Sequence, residues 1–453
     1  MLILKFYDAD LHIHSPHSIA VSKNLNLDTM VHTCKKKGLQ ILGTGDITQP
    51  DWRRYLENNL EFKNGIYSYK DTFFIIQTEL EDEESIHHVI LLPDIKTGEI
   101  LQKKIANKTK NVTSEWAGRP HVHMSPAEIV DLVDDIGGIS GPAHAFTPFK
   151  SVFRKGKFAT LVEAYGSAAK KIYFIELGLS ADTNIADRMS CLSDVSFLSN
   201  SDAHSEGVQS LGREFNRFYI EEPSFDEIIL GIKRKNGRKI TLNVGMEPRL
   251  GKYPLLFCRA CRKRIQLFIK GDTTKISSRY QKLKRFRTLT FEYSIDESGI
   301  YYFFESESQL SAFKRDIGRG KVKCPSCKQA KIPKNSKIQL GVFDRADEIS
   351  DFDAPKHPDH RPPYIGIVPL VEMLRVIKGV KSVKAVSVKK EYNKIIEKFR
   401  TEFEILMDDK ILEKLKTQGY EQLSSLITAF RNNKIEFVPG GGGKYGEIIL
   451  DEI

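Results

Sequence analysis

The sequence predicts an α/β fold, a barrel built mainly of parallel strands, on two observations. Apolar runs alternate with helical patterns as far as about residue 245, and most of those runs end on residue types that bind metals. Strands are expected over 39–43, 73–78, 89–92, 139–141, 172–177 and 195–198, with helices over 27–37 and 126–135 between them. The second helix opens Ser125-Pro126-Ala127-Glu128: an N-cap serine, a proline at the first helical position and a glutamate set for a capping box.

The strand ends carry the chemistry. D-L-H-I-H places His12 and His14 two residues apart on extended chain, so both imidazoles point to one side. Asp202 and His204 repeat that spacing in S-N-S-D-A-H, while Asp46, Glu79, His144 and Glu176 add donors from four further strand ends. Ends of successive parallel strands converge, so these residues predict one polynuclear metal site rather than several unrelated polar loops. Of the adjacent pair His87 and His88, His88 is the expected ligand because it directly precedes the apolar run. Glu81, on the same strand face as Glu79, is expected behind the ligands, and His17 is expected to be a loop histidine. Mixed imidazole and carboxylate donors favour Zn²⁺ or Mn²⁺, with Mg²⁺ as an alternative, and such a cation can activate water for hydrolysis.

Hydrophobic residues make up 40% of the 453 and charged residues 28%, the balance of a soluble globular protein of two or three domains. No apolar stretch approaches the roughly 20 residues that span a bilayer, and the chain runs from Met1 to D-L-H-I-H without a secretory-type segment. A cytoplasmic protein with no membrane association is expected, and a monomer. The formal charge of +10 is concentrated: residues 249–337 hold 22 Lys and Arg against 7 Asp and Glu, a surplus of 15, so the remainder nets −5. Such a footprint suits a polyanion, most often nucleic acid.

Inside that segment Cys258-x-x-Cys261 and Cys324-x-x-Cys327 supply four thiolates for a structural Zn²⁺, with a β-rich insert between the pairs. No thioredoxin-like βαβ pattern supports a redox reading. Cys34 and Cys191, among apolar neighbours, read as core thiols. Arg262, Arg264 and Arg285, with Arg279, Tyr280, Lys282 and Phe286, pair cations with aromatics as DNA backbone and bases require; a solvated basic face is the plainer alternative. Helical patterns follow over 368–377, 392–407 and 422–430. The chain then closes with a short strand over 435–438 and a run from Gly440 to Gly443. That run lacks the G-x-x-x-x-G-K spacing of a nucleotide-hydrolysing loop. Gly441, Gly442 and Lys444 instead suit close backbone approach to DNA, against the plainer reading of a flexible turn. His357-x-x-His360 reads as loop structure. The expected domains are therefore 1–248, the barrel; 249–337, the basic cysteine module; and 338–453, mainly helical and ending in the glycine loop.

The order H-x-H, strand-end Asp, Glu, His, P-A-H, I-E and S-D-A-H resembles the polymerase and histidinol phosphatase (PHP) superfamily of metal-dependent phosphoesterases. That resemblance implies a distorted (β/α)₇ barrel with a trinuclear site. Gly45-Asp46 departs from the Thr-Asp-His of many such proteins and leaves Asp46 as the position able to ligate. Longer strings, among them G-P-A-H-A-F-T-P, L-S-N-S-D-A-H-S, H-R-P-P-Y and P-G-G-G-G-K-Y-G-E-I, resemble the endonuclease Q family of DNA repair enzymes. Membership implies nicking 5′ of deaminated bases (uracil, hypoxanthine, xanthine) and of abasic sites, with damaged DNA as partner; Asp202, His204 and His144 are the expected catalytic groups. Another PHP phosphoesterase, acting on DNA ends or a small monoester, and a non-catalytic DNA-binding scaffold are the competing readings. No clamp-binding peptide is legible at the C-terminus, so recruitment by a replication clamp gains no support.

Overall fold

The computed structural model describes residues 3–271, 283–288, 290–329 and 337–449. Strands β1 (Lys5–Asp10) and β2 (Ile41–Gly43) are followed by the hairpin β3 (Glu61–Lys63) and β4 (Ile66–Tyr69). Then come β5 (Thr72–Glu81), β6 (His87–Leu92), β7 (Ile139–Pro142), β8 (Phe174–Glu176), β9 (Ser196–Leu198), β10 (Phe215–Ile220) and β11 (Lys239–Met246). As expected, β1, β2 and β5 pair in parallel, with Asp10 opposite Leu42 and Gly43 opposite Ile75, and β8 pairs β9 in parallel.

The mainly parallel expectation fails elsewhere. β6 runs antiparallel to both β5 and β7, and β10 returns antiparallel to β1. Connection length explains the first reversal. Residues 82–86 form a tight loop in which Asp82 and Ile86 bond through their main chains at 2.9 Å and the Asp82 carboxylate accepts from the Ile86 N–H at 2.8 Å. A parallel crossover needs a dozen or more residues. The strands share one core, in which Leu11, Ile41, Ile75, Val89, Phe174, Leu198 and Phe218 meet Ile228 and Ile232 of the helix Phe225–Ile232.

Helix Leu27–Lys37 forms as expected and is capped by Asn26, which accepts from the Thr29 N–H at 3.0 Å. Helix Pro126–Asp135 carries the expected box: Ser125 Oγ accepts from the Glu128 N–H at 3.3 Å while Glu128 accepts from the Ser125 N–H at 2.7 Å. The single helix expected over 392–407 is two, Val386–Phe399 and Glu402–Met407. Arg400 between them has a φ of 88°, which no helix accommodates, and Thr401 starts a new capping box with Glu404. Glu402 is buried and takes three partners: Lys37 Nζ at 2.8 Å, the Tyr392 hydroxyl at 2.7 Å and the Leu370 N–H at 3.1 Å.

The described residues group into two compact units rather than three segments. One takes 1–248, 350–436 and 448–453; the other takes 249–349 and 437–447. Strand Tyr364–Ile367 extends β11 in parallel, which ties the helical segment into the first unit. Loop 355–363 is pinned there too, by Arg361 and His357 on the Asp187 carboxylate at 2.8 and 2.7 Å. In the second unit a six-stranded sheet centres on Arg264–Ile269 and Gly299–Phe304, paired in parallel. Phe313 and Ile317 of helix Glu307–Gly318 are buried against it. Among the described residues no helix is long and apolar enough to cross a membrane.

Candidate metal centre

His12 and His14 leave β1 on extended chain. Ile13 bridges in parallel to Ala203, and the His14 N–H donates to the Ala203 carbonyl at 3.1 Å, so the H-x-H and S-D-A-H segments run side by side. Glu79 comes from β5, His87 from the start of β6, His144 from just beyond β7 and Glu176 from the end of β8. Six of these side chains gather as two triads, His12–His14–Asp202 and Glu79–His87–His144, in each of which the donor atoms lie within 4.8 Å of one another.

Glu79, fully buried, joins the two. Its Oε1 lies 3.0 Å from His87 Nδ1, 3.4 Å from His144 Nε2 and 3.6 Å from His12 Nε2; its Oε2 lies 3.4 Å from His14 Nε2 and 3.1 Å from Arg119 Nη1. Asp202 Oδ1 stands 3.1 Å from His14 Nε2 and 3.8 Å from His12 Nε2.

Three other carboxylates sit behind the imidazoles. Asp46 contacts His14 Nδ1 at 3.1 Å and accepts from the Ser15 N–H at 2.6 Å and Ser15 Oγ at 2.7 Å, so its oxygens are spent on positioning. Glu176 contacts His12 Nδ1 at 3.0 Å and accepts from the His144 N–H at 2.8 Å. Both were expected as ligands; the geometry makes them the partners that fix ring orientation and leave each Nε2 facing inward. Glu81, 3.4 Å from His87 Nε2, sits behind the His87 ring, as expected, and there it is Nδ1 that faces inward, toward Glu79. His204 lies on the rim, 34% exposed, its Nδ1–H donating to the Asp202 carbonyl at 2.9 Å and its ring 4.6 Å from that of His14. His17 is a loop histidine, bonded to the Glu115 carbonyl.

His88 is the clear correction. It pairs opposite Leu80, whereas His87 pairs opposite Glu81, so the period-two alternation of β6 turns the two imidazoles to opposite faces. His88 Nε2 meets Asp82 at 2.9 Å and its ring packs on Tyr165, away from the cluster. The missed signal was parity: in a hairpin turning at 82–86, the residue facing Glu81 shares its side of the sheet. Arg119 was missed as well, because it stands in a loop with no metal-ligand pattern.

A cation fits this donor set. Burial alone would lower His12, yet the Glu176 and Glu79 carboxylates drive it up to about 10; His14, likewise opposed by burial, is driven up to about 9 by Asp46 and Asp202. Burial alone would raise Glu79 and Asp202, but His87 and Arg119 hold the first, and His204 and His14 the second, well below the carboxylate range. Without metal, therefore, protons on imidazoles balance the buried carboxylates, and a divalent ion can take their place. Among the described residues, two fully buried atoms, His12 Nε2 and Glu79 Oε1, stand at ion-pair distances from their neighbours but meet none in hydrogen-bonding geometry. Each such atom costs about 1–3 kcal/mol when unpaired. They face each other across 3.6 Å, close to the edge of about 3.4 Å between tetrahedral donors held at about 2.1 Å.

Backbone geometry at the strand ends is unusual. Asp46, His144 and Asp202 have φ of 40°, 31° and 47°, a region that costs non-glycine residues free energy. All three side chains are committed to the cluster.

In the second unit Cys258 Sγ lies 3.5 Å from Cys327 Sγ and Cys261 Sγ 3.7 Å from Cys324 Sγ, too far for disulfides and close to the edge of about 3.8 Å expected around a shared ion at about 2.3 Å. Hydrogen bonding from Cys324 brings Cys258 down to about 5, while Cys324 is pushed up by Cys258. The four cysteines can thus hold a metal ion. Of the expected DNA contacts, Arg262 and Lys444 are exposed. Arg264 donates to the Pro439 carbonyl at 2.6 Å, and Arg285 lies 4.2 Å over the Phe303 ring. Arg279, Tyr280 and Lys282 lie outside the described residues. Gly441 and Gly442 are buried: a Cβ would fall 2.5 Å from Arg264 Cβ and 1.8 Å from the Arg262 carbonyl oxygen respectively. Their missing side chains serve the protein's own packing, a reason the sequence reading did not weigh.

The family model described as the MJ0043 C-terminal domain matches residues 369–434. The uncharacterized protein YqxK of Bacillus subtilis is 29% identical over 97% of this chain and 98% of its own length. The uncharacterized protein MJ0043 of Methanocaldococcus jannaschii is 33% identical over 68% of this chain but only 32% of its own length. Two solved structures align along 99% of the chain at 34% identity. The lesion-specific endonuclease PfuEndoQ of Pyrococcus furiosus does so with a TM-score of 0.78 over 96% of its chain. Endonuclease Q, bound to a 27-mer duplex with an abasic lesion at its active site, does so with 0.80 over 97%.

Proposed function

The chain belongs to the endonuclease Q family, and we propose that it is a metal-dependent, lesion-specific DNA endonuclease that hydrolyses the phosphodiester 5′ of deaminated bases and abasic sites. The observation that carries the reading is the buried cluster in which Glu79 joins the His12–His14–Asp202 triad to His87 and His144. The finer fold reading, a distorted (β/α)₇ PHP barrel, is part of the same proposal, as is a structural Zn²⁺ on Cys258, Cys261, Cys324 and Cys327.

His12, His14 and Asp202 would hold one divalent cation and Glu79, His87 and His144 another, Zn²⁺ or Mn²⁺ by donor type, with Mg²⁺ as an alternative. Bound there, the ions supply charge neutralisation for the phosphodiester and a nucleophilic water near neutral pH. The protein's own groups do the rest. Asp46 and Glu176 lock the His14 and His12 rings so that their inner nitrogens stay aimed. Burial lowers the His204 imidazole, which favours its neutral form, and with Nδ1–H tied to the Asp202 carbonyl the other ring nitrogen is the one placed to exchange a proton with a reacting oxygen. The exposed cations of the second unit, Arg262 and Lys444 among them, would pair with phosphates and position the duplex.

The test uses duplexes carrying one uracil, hypoxanthine or abasic site, beside an undamaged duplex and a generic phosphate monoester, with Mn²⁺ or Mg²⁺. Nicking immediately 5′ of the lesion that disappears in Asp202→Asn is the expected result. Turnover of the monoester alone, or tight DNA binding without cleavage in the wild type, would refute it.

A further inference from the structure

We propose that loop 111–119 is the DNA-engaging arm of the metal centre, with Arg119 holding the scissile phosphate and Trp116 stacking on a base beside the lesion. The proposal rests on the endonuclease reading. Its first support is how firmly the loop is seated. The Gly118 N–H donates to the His17 carbonyl at 3.1 Å, His17 Nδ1–H donates back to the Glu115 carbonyl at 3.0 Å, and Ala117 closes a turn onto Ser114. A Cβ on Gly118 would lie 2.3 Å from Ser18 Oγ and 2.6 Å from Asp46 Oδ2, so the loop backbone rests directly on a carboxylate that orients His14.

From this seat the loop points two side chains in useful directions. Arg119 reaches inward to Glu79 Oε2 at 3.1 Å and still has a quarter of its side chain exposed, at 26%. Its guanidinium is charged at every working pH. A guanidinium carries five donors in a planar fork, the geometry that matches two oxygens of one phosphate. Trp116 points outward at 43% exposure, with Lys23 Nζ 5.3 Å from its ring and Ile19, on the facing segment, 70% exposed. The chain has two tryptophans, and the other, Trp52, is buried with its Nε1–H donating to the Thr44 and Gly45 carbonyls. Trp52 thus has a packing role, whereas Trp116 has none of that kind. Trp116 lies three positions before Arg119, a reach of about 10 Å at most, or about three base steps from a phosphate held at the metals. An aromatic plate at that distance can stack on a base exposed when the lesion leaves the helix.

Because Trp52 is buried, the change in tryptophan emission on adding duplex reports on Trp116. Adding duplex to the metal-loaded wild type should quench that emission, and Trp116→Phe should lose the quench. Trp116→Ala should lower kcat/KM on a lesion duplex about tenfold, with Trp116→Phe recovering most of it. Arg119→Ala should lower kcat about 100-fold with KM changed only a few-fold and both metals retained by mass spectrometry. No quench at saturating duplex, or full activity in Trp116→Ala, overturns the stacking role. Loss of metal in step with activity in Arg119→Ala overturns the phosphate role. If the wild type nicks no lesion duplex, it is the endonuclease reading that fails, and the quench still decides whether the loop meets DNA.

Discussion

Replacing His87 and its neighbour His88 by alanine, one at a time, should produce opposite defects from adjacent residues. His87 gives its Nδ1 to the Glu79 cluster at 3.0 Å, so His87→Ala removes one of six candidate donors. Losing a partner behind a metal ligand costs about 10- to 100-fold in metal affinity, and loss of a donor itself should exceed the top of that range. His87 is otherwise held only at the cluster and by Glu81, so the fold should survive. His88 is fully buried and bonds the Asp82 carboxylate at 2.9 Å, with Tyr165 against its ring. Its removal strips a buried carboxylate of a charge-assisted hydrogen bond, at about 1.5–3 kcal/mol, and leaves a cavity besides. A loss of about 3 kcal/mol should lower the apparent Tm by about 5 °C in a protein of this size, with metal content intact. Metal per protein by mass spectrometry, nicking of a uracil duplex and a thermal melt give the three readouts. If His88→Ala released metal and His87→Ala did not, the register of β6 against β5 described above would be wrong.

Cys324→Ser should release one ion per chain and weaken DNA binding while the metals on His12 and its neighbours stay; parallel loss of all metal would refute independent sites. Lys37→Met should destabilise the protein by about 3–5 kcal/mol, because buried Glu402 would lose its cationic partner, and the double change with Glu402→Leu should recover most of it in denaturant melts. Burial pushes Glu214 up to about 8 from an ordinary 4.5, so the folded chain binds a proton there that the unfolded chain releases. Stability should therefore fall as pH rises between about 4.5 and 8, and Glu214→Gln should flatten that slope; an unchanged slope would show that another group governs it.

Much of the site was legible because strands advertise their ends. Apolar runs of a few residues followed by histidine or acid gave β2, β5, β7, β8 and β9 and nearly every member of the cluster. Helix 126–135 could be read from its capping residues alone. What stayed hidden depended on partners distant in sequence. The turn at 82–86 reverses β6 and thereby decides between His87 and His88, yet a strand pattern carries no direction. Asp46 and Glu176 have the same composition as ligands, and only their contacts with Ser15 and the His144 N–H reveal that they face the back of the rings. Arg119 owes its place to a loop seated by a glycine at 118, which nothing in the local sequence distinguishes from an ordinary turn. The segment after 350 was read correctly as helical, but its attachment through Tyr364–Ile367 and Glu402 is a matter of tertiary pairing.

The left-handed backbone at Asp46, His144 and Asp202 bears on anyone who would transplant this centre. The aim of each of these side chains is set by main-chain torsions that a regular strand end does not supply, so copying the side-chain identities onto an idealised scaffold would scatter the nitrogens and oxygens. A faithful graft has to carry the three kinked corners with it, and a β-branched residue at any of them should be the least tolerated exchange.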